Sequence, residues 1–354
     1  NLVIQGGNVQ TGVGTDSYSS RGGAIFVQGY TVDLTLANTE VSCSKASPID
    51  PVNGNALYSY GGGLYLYSSN TSKLTLNNAT IVGNMALAYA YRESIGVSGN
   101  TSYGGGIYVR AGSTSTISLE NSSVNQNISK AYTYHEDIAN TSMDPSTHAY
   151  GGGIYNQSNV IQFSMVNSTL ARNEVHAYIN TIQCSYSSNP HYWGWSRAYS
   201  YGGGFYNSTS NYSNTYYVIH STITGNISTA IGIHVNNSYS QAASGTASYG
   251  GVYILGGNSI FENSIVYGNY TEFKSHTTQL TYNFSANDIQ ANYTYLAYSI
   301  YGQVSNISRN IASTQYTTDQ NNLSSIFETV SAKETLAGNT LYVPVLNEDT
   351  TVHL

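Results

Sequence analysis

Charged residues are scarce in this sequence. They make up 8% of the 354 positions, with 11 Lys and Arg against 18 Asp and Glu. The net charge of −7 leaves no surface suited to neutralising a row of phosphates. We therefore expect neither nucleic acids nor anionic membranes as partners.

Long apolar runs and cysteines are also rare. No stretch approaches the roughly 18 consecutive apolar residues of a membrane-spanning helix. No basic-then-apolar leader precedes Asn1, so we expect that any export signal has already been removed. The only cysteines are Cys43 and Cys184. They lie in distant repeats, and the sequence leaves open whether they are bridged or remain separate thiols.

Tyrosine and glycine are abundant, with 35 residues each, and aromatic residues reach 12%. Disordered chains are poor in aromatic residues, because too little apolar surface is then buried to offset the entropy lost on ordering. Here the aromatics are set among Thr, Val and Ile, which favour strands. The composition therefore predicts an all-β fold.

A glycine cluster followed by an apolar and an aromatic residue recurs along the chain. Full copies lie at 61–65, 104–108, 151–155 and 202–206, with weaker copies at 22–26, 249–253 and 299–301. Most copies lie 39–51 residues apart, a period typical of solenoids. We expect the glycines to permit positive φ and close backbone approach where the chain enters a sheet.

A second motif follows each glycine cluster: apolar-x-apolar-x-Asn-small-small-apolar-x-x-Asn, as at 74–84. The alternation of apolar and polar residues predicts strands near 63–67, 73–77 and 79–83, with equivalents in the other repeats. Three strands per repeat favour a three-sided coil whose turns stack roughly 4.8 Å apart.

The predicted fold class is therefore all-β: a right-handed parallel β-helix with long Tyr-rich β-arm insertions on one corner. The β-helix spans 1–310, and 311–354 is a C-terminal cap or assembly segment. Insertions of 16–28 residues leave after the second motif. The fourth residues after the closing Asn are Ala88, Ala131, Ala177, Ala230 and Phe273. The fifth residues are Tyr89, Tyr132, Tyr178, Ile231 and Lys274. The residues directly before the glycines are Tyr60, Tyr103, Tyr150, Tyr201 and Tyr249. Such arms stack into a Tyr-laddered sheet, which is either a satellite core or a face for assembly or a ligand.

The closing asparagines of the second motif are expected to lie one above another and to hydrogen-bond along the axis. This structural ladder comprises Asn84, Asn127, Asn173, Asn226 and Asn269.

Asn-X-Ser/Thr triplets occur 17 times, which favours an exported glycoprotein. A chain this rich in Asn, Ser and Thr also forms such triplets by chance. The glycosylation candidates are Asn70, Asn78, Asn100, Asn121, Asn140, Asn156, Asn167, Asn207, Asn211, Asn236, Asn283, Asn292, Asn306 and Asn322. The triplets at Asn127, Asn226 and Asn269 belong to the ladder, and they carry no glycan if the ladder is buried.

The longest insertion contains both tryptophans, in a segment with Tyr192, Trp193 and Trp195. Flat aromatic side chains beside polar groups suit stacking on sugars or on a partner subunit. Packing or capping is the alternative role.

The motifs Gly-Gly-Ala-Ile-Phe at 22–26 and Gly-Gly-Gly-Ile-Tyr at 104–108, with Ile-x-x-Asn at 81–84 and 223–226, resemble the repeats of polymorphic outer-membrane-protein-like β-helices. The resemblance covers 1–310. It implies a right-handed parallel β-helix displayed outside the cell, often as a passenger or adhesin, and it implies no conserved chemistry. The insertions are longer than in such repeats, and a self-inserting autotransporter is not expected.

Polysaccharide lyases and hydrolases also use this fold, so the residues must decide. Hydrolases need two convergent carboxylates, and lyases need an acidic metal cluster with a basic residue. The acidic residues here are mostly single and in unrelated registers, and the eight His residues are dispersed. We therefore predict no catalytic, cofactor or metal site.

A solenoid leaves open sheet edges at both ends. We expect the chain to pair with itself head to tail as a structural extracellular glycoprotein of a cell-surface filament or sheath. The first alternative is a monomeric adhesin or carbohydrate-binding surface protein, whose partners are glycans. The second is a polysaccharide lyase or hydrolase.

Overall fold

The computed structural model shows a chain of stacked β-strands. The residues that it describes are 2–9, 19–48, 56–92, 99–136, 146–183, 196–236, 243–276, 280–286, 288–304, 306–315, 332–336 and 339–343. All regular structure within these ranges is strand, so the predicted all-β class is confirmed. The chain divides into two compact units, 1–316 and 317–354.

Four sheets run through the first unit, with strands numbered in chain order. Sheet A consists of β1 (Leu2–Gln5), β5 (Thr39–Ser42), β9 (Thr80–Val82), β13 (Ser123–Asn125), β17 (Thr169–Ala171), β22 (Thr222–Thr224), β27 (Ile265–Tyr267), β32 (Ile300–Tyr301) and β34 (Thr314–Gln315). Sheet B consists of β2 (Asn8–Val9), β6 (Lys45–Ala46), β10 (Met85–Arg92), β14 (Ile128–Glu136), β18 (Glu174–Gln183), β23 (Ile227–Asn236), β28 (Tyr270–His276) and β29 (Leu280–Ala286). Sheet C consists of β3 (Ser19–Arg21), β7 (Tyr58–Tyr60), β11 (Thr101–Tyr103), β15 (Ser146–Tyr150), β19 (Ser196–Tyr201) and β24 (Ala243–Ser248). Sheet D consists of β4 (Ile25–Ala37), β8 (Leu64–Asn77), β12 (Ile107–Glu120), β16 (Ile154–Val166), β20 (Phe205–Asn207), β21 (Thr215–Ile219), β25 (Val252–Ile254), β26 (Asn258–Glu262), β30 (Ile289–Gln290), β31 (Tyr293–Ala297) and β33 (Ile307–Ile311).

Each full turn of the coil crosses sheet D, then sheet A, and then runs through sheets B and C before the next glycine cluster. Thus β12, β13, β14 and β15 follow one another before β16 begins the next turn. Equivalent strands of successive turns pair in parallel: Ile107 lies opposite Leu64 of the preceding turn and Ile154 of the following turn. The described part of the first unit is a parallel β-helix, as predicted. A right-handed sense is the one expected for parallel crossover connections.

Sheet D contains longer strands than the sequence pattern indicated. β8 runs through both of the strands predicted near 63–67 and 73–77. In β12 the register is irregular between Ala111 and Thr114, close to where the two predicted strands meet. The third predicted strand, near 79–83, corresponds to β9.

Pairing continues past residue 310, where the sequence analysis ended the β-helix. β33 pairs with β31, and β34 pairs with β32, so the coil extends to Gln315. In the second unit, β35 (Ala332–Leu336) and β36 (Asn339–Val343) form an antiparallel pair.

Alternate residues of sheets A and D point into the coil and form its core. Leu64, Leu66, Leu74 and Leu76 of β8 are fully buried, and their register partners in β12 are apolar as well. Burying a side chain of this size stabilises the fold by roughly 1.5–3 kcal/mol relative to leaving it exposed. The alternation in the sequence is therefore the direct cause of the coil.

Successive turns approach each other closely at the glycine clusters. A Cβ on Gly106 would lie 2.8 Å from the carbonyl oxygen of Gly153 and 2.8 Å from Cγ of Asn127. In the copy at 249–253, Tyr249 takes the place of the first glycine and has φ 54°. The sequence pattern aligned Tyr249 with Tyr201, which directly precedes a glycine cluster. In the structure Ser248 pairs with Tyr201, so that prediction is wrong by one residue.

Sheets B and C are the arms, and they pack against each other beside the coil. Their shared buried cluster consists mainly of small residues: Ala131, Ala149, Val175, Ala177, Ile179, Ala198 and Ala230. The predicted arm positions are in register, with Ala88 opposite Ala131 and Tyr89 opposite Tyr132. The last arm differs, because β28 and β29 form an antiparallel hairpin within sheet B.

Candidate functional site

Five asparagines form a buried column along the axis, each 0–1% exposed. Each side-chain amide donates to the side-chain oxygen of the next member: Asn84 to Asn127 over 3.0 Å, Asn127 to Asn173 over 3.0 Å, Asn173 to Asn226 over 2.9 Å and Asn226 to Asn269 over 2.8 Å. Oδ1 of Asn127 also accepts the backbone N–H of Asn84 over 3.0 Å, and the second amide hydrogen of Asn127 is donated to the carbonyl of Ile81. Asn127 therefore makes all four hydrogen bonds that a side-chain amide can make.

The column ends on Ser44 at one side and on Asp288 at the other. The backbone N–H of Ser44 donates to Oδ1 of Asn84 over 3.0 Å. Oδ1 of Asp288 accepts the side-chain amide of Asn269 over 2.7 Å, and Oδ2 accepts the backbone N–H of Gln303 over 2.8 Å. Burial raises the pKa of Asp288 to about 6, and the hydrogen bonds from Asn269 and Gln303 oppose that rise. Asp288 was not predicted from the sequence, because it follows an arm and has no counterpart in the second motif.

A second polar column, which was not predicted from the sequence, consists of serines that directly precede the strands of sheet A. Its members are Ser122, Ser168, Ser221, Ser264 and Ser299, each at most 5% exposed. Ser122 donates its backbone N–H to Oγ of Ser168 over 3.0 Å, and Oγ of Ser168 donates to the carbonyl of Val166 over 2.7 Å. These serines recur at the first of the two small positions in the second motif, and this recurrence could have predicted the column from the sequence.

Three glycosylation candidates share one exposed corner between sheets D and A. Asn78, Asn121 and Asn167 lie in consecutive turns, have exposed side chains, and adopt φ of 51°, 47° and 47°. Asn38 and Asn263 occupy the same corner with φ 51° and 48°, but the residues two positions after them are Glu40 and Ile265, where a glycosylation triplet needs Ser or Thr. Asn tolerates this left-handed backbone better than most residues, which explains the column without reference to sugars.

The other candidates differ in exposure. Asn292 and Asn306 are exposed, and Asn70 and Asn211 are partly exposed. Asn100, Asn156 and Asn207 are 0% exposed, and their side chains are hydrogen-bonded inside the fold, so they are inaccessible once the chain has folded. The side chains of Asn140, Asn236, Asn283 and Asn322 lie outside the described residues.

The predicted binding segment with Tyr192, Trp193 and Trp195 also lies outside the described residues, as does Cys184. Cys43 is exposed, and its thiol is free. Cys43 adopts φ 52° and directly precedes Ser44, at the end of the asparagine column. Gly83, which directly precedes Asn84, occupies the equivalent position in the next turn.

Two rows of tyrosines meet where sheet C leads into sheet D, and we call them the Tyr corner. The sheet C row is Tyr60, Tyr103, Tyr150 and Tyr201, and the sheet D row is Tyr65, Tyr108, Tyr155, Tyr206 and Tyr253. Rings stack along each row, with centroids 5.1 Å apart for Tyr60 and Tyr103 and 5.0 Å apart for Tyr65 and Tyr108. The rows also touch each other, since the rings of Tyr60 and Tyr65 lie 6.0 Å apart in a T-shaped arrangement.

Arginines are the charged groups beside the Tyr corner. The guanidinium of Arg21 lies 5.8 Å from the ring centre of Tyr65, and that of Arg110 lies 5.4 Å from the ring centre of Tyr67. Burial raises the pKa of Tyr60 to about 12, so its phenol stays neutral at physiological pH. Burial lowers the pKa of His148, which disfavours its charged form. Arg21 and Arg110 therefore supply positive charge at the corner.

The described part of the chain contains no group of three or more His, Cys, Asp or Glu side chains arranged to hold a metal ion. No helix in this part is long and apolar enough to cross a membrane.

Comparisons with known proteins add no relatives. No protein-family model matches the chain, and neither the curated proteins nor the solved structures give a match.

Proposed function

We propose that this protein is a structural extracellular glycoprotein that assembles head to tail into a cell-surface filament or sheath. The observation that carries the proposal is that the strands at the start of the described coil have a partner strand on one side. In the described part of the chain, β4 pairs only with β8, and β1 pairs only with β5. β4, with 13 residues and one described neighbour, has the backbone groups to accept a further parallel strand, and the proposal is that a second copy supplies it.

Core side chains of the first turn support the same idea, because they are only half covered. Ile25, Val27 and Leu34 pack against the buried cluster but remain partly exposed. Their register partners in the second turn, Leu64, Leu66 and Leu74, are 0% exposed. A second copy that adds its last turn here would bury them by the same parallel pairing, giving a heterologous, open-ended assembly.

Assembly is tested with a charge on the open edge. Leu34→Lys places an ammonium on the half-buried face of β4, whereas Thr35→Lys places the same charge on the neighbouring exposed position. We expect the wild type and Thr35→Lys to form filaments in electron micrographs and concentration-dependent species in sedimentation. We expect Leu34→Lys to remain monomeric with an unchanged circular dichroism spectrum. A wild type that stays monomeric at high concentration contradicts the proposal.

The proposal includes export and sugars. Intact mass before and after deglycosylation, on protein from its own source, tests both together. A mass that equals the sequence mass removes this part of the proposal while leaving the assembly test unaffected.

No catalytic activity forms part of the proposal. The acidic side chain of Asp33, for example, is exposed and lies 3.4 Å from the ammonium of Lys73, without a second carboxylate as partner. Incubation with a panel of acidic and neutral polysaccharides is the test, and release of product would favour a lyase or hydrolase instead.

A monomeric adhesin that binds carbohydrate is the second candidate, and the Tyr corner is the observation that favours it. Aromatic side chains with polar tips are suited to surfaces that are partly wet. This candidate gains if the wild type binds glycans and does not assemble.

A further inference from the structure

The Tyr corner is concave. Tyr60 projects from the outer face of sheet C, and Tyr65 projects from the outer face of sheet D, yet their rings are in T-shaped contact. Farther along the axis, the rings of Tyr103 and Tyr155 approach to 4.9 Å in the same way. Side chains on the outer faces of two adjoining sheets can contact each other only where the angle between those outer faces is less than 180°. The corner is therefore a channel that follows the axis of the coil.

The floor of the channel is closed by the tyrosines themselves. Tyr65, Tyr108 and Tyr155 are 1–5% exposed although they lie outside the coil. Their ring faces are occupied by the rings above and below, at 5.0 Å and 5.3 Å. A ligand in the channel therefore meets ring edges, hydroxyl groups and the polar side chains of the walls, which favours a polar ligand over a flat aromatic one.

The walls carry hydrogen-bonding groups and positive charge. On the sheet C side they include Tyr58 and His148, and on the sheet D side Tyr67, Arg110 and Gln157. Gln157 accepts a hydrogen bond from the hydroxyl of Tyr108 over 2.7 Å, which leaves its amide hydrogens available for another group. Neither the sheet C strands nor the first five residues of β4, β8, β12 and β16 contain an Asp or Glu. In a chain of net charge −7, this face is unusual in carrying cations alone.

The two arginines are presented for recognition of an anion. Both side chains are exposed, and each guanidinium lies over a Tyr ring. A guanidinium carries five N–H donors in a planar fork, which matches the geometry of a carboxylate. Arg21 is in the first turn and Arg110 is in the third, which separates them along the axis by two steps, or roughly 10 Å.

We infer that the Tyr corner binds an extended acidic polysaccharide, a chain of uronic acid units that runs parallel to the axis. The carboxylates pair with Arg21 and Arg110, and the sugar hydroxyls bond to the phenols and to Gln157. An extended glycan advances by about one sugar per turn of the coil, so the same kind of contact repeats from turn to turn. The site lies on the side of the coil, although Arg21 belongs to β3, which is the edge strand of sheet C at the same end as β4.

The test uses the full chain and oligogalacturonates of defined length, with binding measured by titration calorimetry at low and moderate salt. We expect Arg21→Gln and Arg110→Gln each to weaken binding about tenfold, which is the loss of one charge-assisted contact. Higher salt should weaken the wild type in the same direction. Arg309→Gln is the matched control, because Arg309 is also exposed and also lies over a ring, 5.4 Å from the centre of Tyr295, away from the channel.

Several outcomes overturn the inference. These are no binding of oligogalacturonate by the wild type, an equal loss in Arg309→Gln, or equal binding of a neutral cello-oligosaccharide. Equal binding of poly-glutamate would show that charge alone is recognised, which also rejects a sugar site. Failure here leaves the filament proposal standing, since assembly is measured separately with Leu34→Lys.

Discussion

The side-chain amide of Asn269 donates to Oδ1 of Asp288 over 2.7 Å, and this contact ends the buried asparagine column. Asp288 is 1% exposed, and it replaces a neutral amide by an ionisable group. The last member of a neutral polar column is thus the only one that can change charge. Its titration should therefore be visible in the stability of the coil.

Because of Asp288, we expect the folded coil to lose stability as the pH rises through the weakly acidic range. Its pKa is raised from 3.8 to about 6 by burial, so the folded state holds the proton more tightly than the unfolded state. The stabilisation is complete below about pH 4 and is lost as the pH rises through 6, a change of about 2–3 kcal/mol at most. Urea unfolding at several pH values measures it.

Asp288→Asn is the matching variant. Its side-chain oxygen still accepts both donors of Asn269, but no charge can form. We expect the step between pH 4 and 6 to disappear, whatever the variant's absolute stability. A step of equal size in the variant would show that other groups cause it.

Breaking the column in its middle should cost more than changing its end. Asn173→Ala removes the acceptor for two buried donors of Asn127, its backbone N–H and its side-chain amide. Each unsatisfied buried donor costs about 1–3 kcal/mol, so we expect a loss of roughly 2–6 kcal/mol in the free energy of unfolding. Asn77→Ala, at an exposed strand position, is the control and should change little. Equal effects would contradict the role of the column.

The asparagine column shows what the sequence could predict. Its members recur at one place in the second motif, and both the fold and the column follow from that periodicity. Asp288 and the replacement of the first glycine by Tyr249 were missed, because each departs from the repeat and depends on how the arms return to the coil. The Tyr corner was missed in part, since the rows before and after the glycines come together only when sheets C and D fold against each other.

Glycan occupancy should follow exposure. We expect sugars on Asn78, Asn121 and Asn167, and none on the buried Asn226, in folded protein from a host that glycosylates. Peptide mass spectrometry checks this. Ile265→Thr completes a triplet at Asn263, which occupies the same corner, and it should add one glycan. Thr222 occupies the equivalent place in the preceding turn, so Thr fits the strand. A glycan on Asn226 or an unmodified Asn263 in this variant would contradict the prediction.

The Tyr corner predicts alkaline unfolding. Burial raises the pKa of Tyr60 and Tyr201 to about 12. Because these folded values exceed the ordinary value near 10, the phenols contribute stability below pH 10 that is lost as the pH rises towards 12. We expect absorbance at the phenolate band and circular dichroism to change together in this range. Tyr60→Phe should reduce the pH dependence, whereas independent ionisation without loss of structure would contradict the prediction.

Substitution of two glycines should reduce the stability of the fold to very different degrees. A side chain on Gly106 would press against Asn127 of the column and against the carbonyl of Gly153, both at 2.8 Å, so we expect Gly106→Ala to cost several kcal/mol, on the order of an overpacked core site. Gly83 has φ 64°, but its nearest neighbour atom, Sγ of Cys43, would lie 3.8 Å from a new Cβ. Asn accepts this backbone, so we expect Gly83→Asn to cost less than about 1 kcal/mol. Thermal unfolding of both variants checks the contrast. A tolerated Gly106→Ala would mean that successive turns can separate, which the continuous columns of Asn and Ser do not allow.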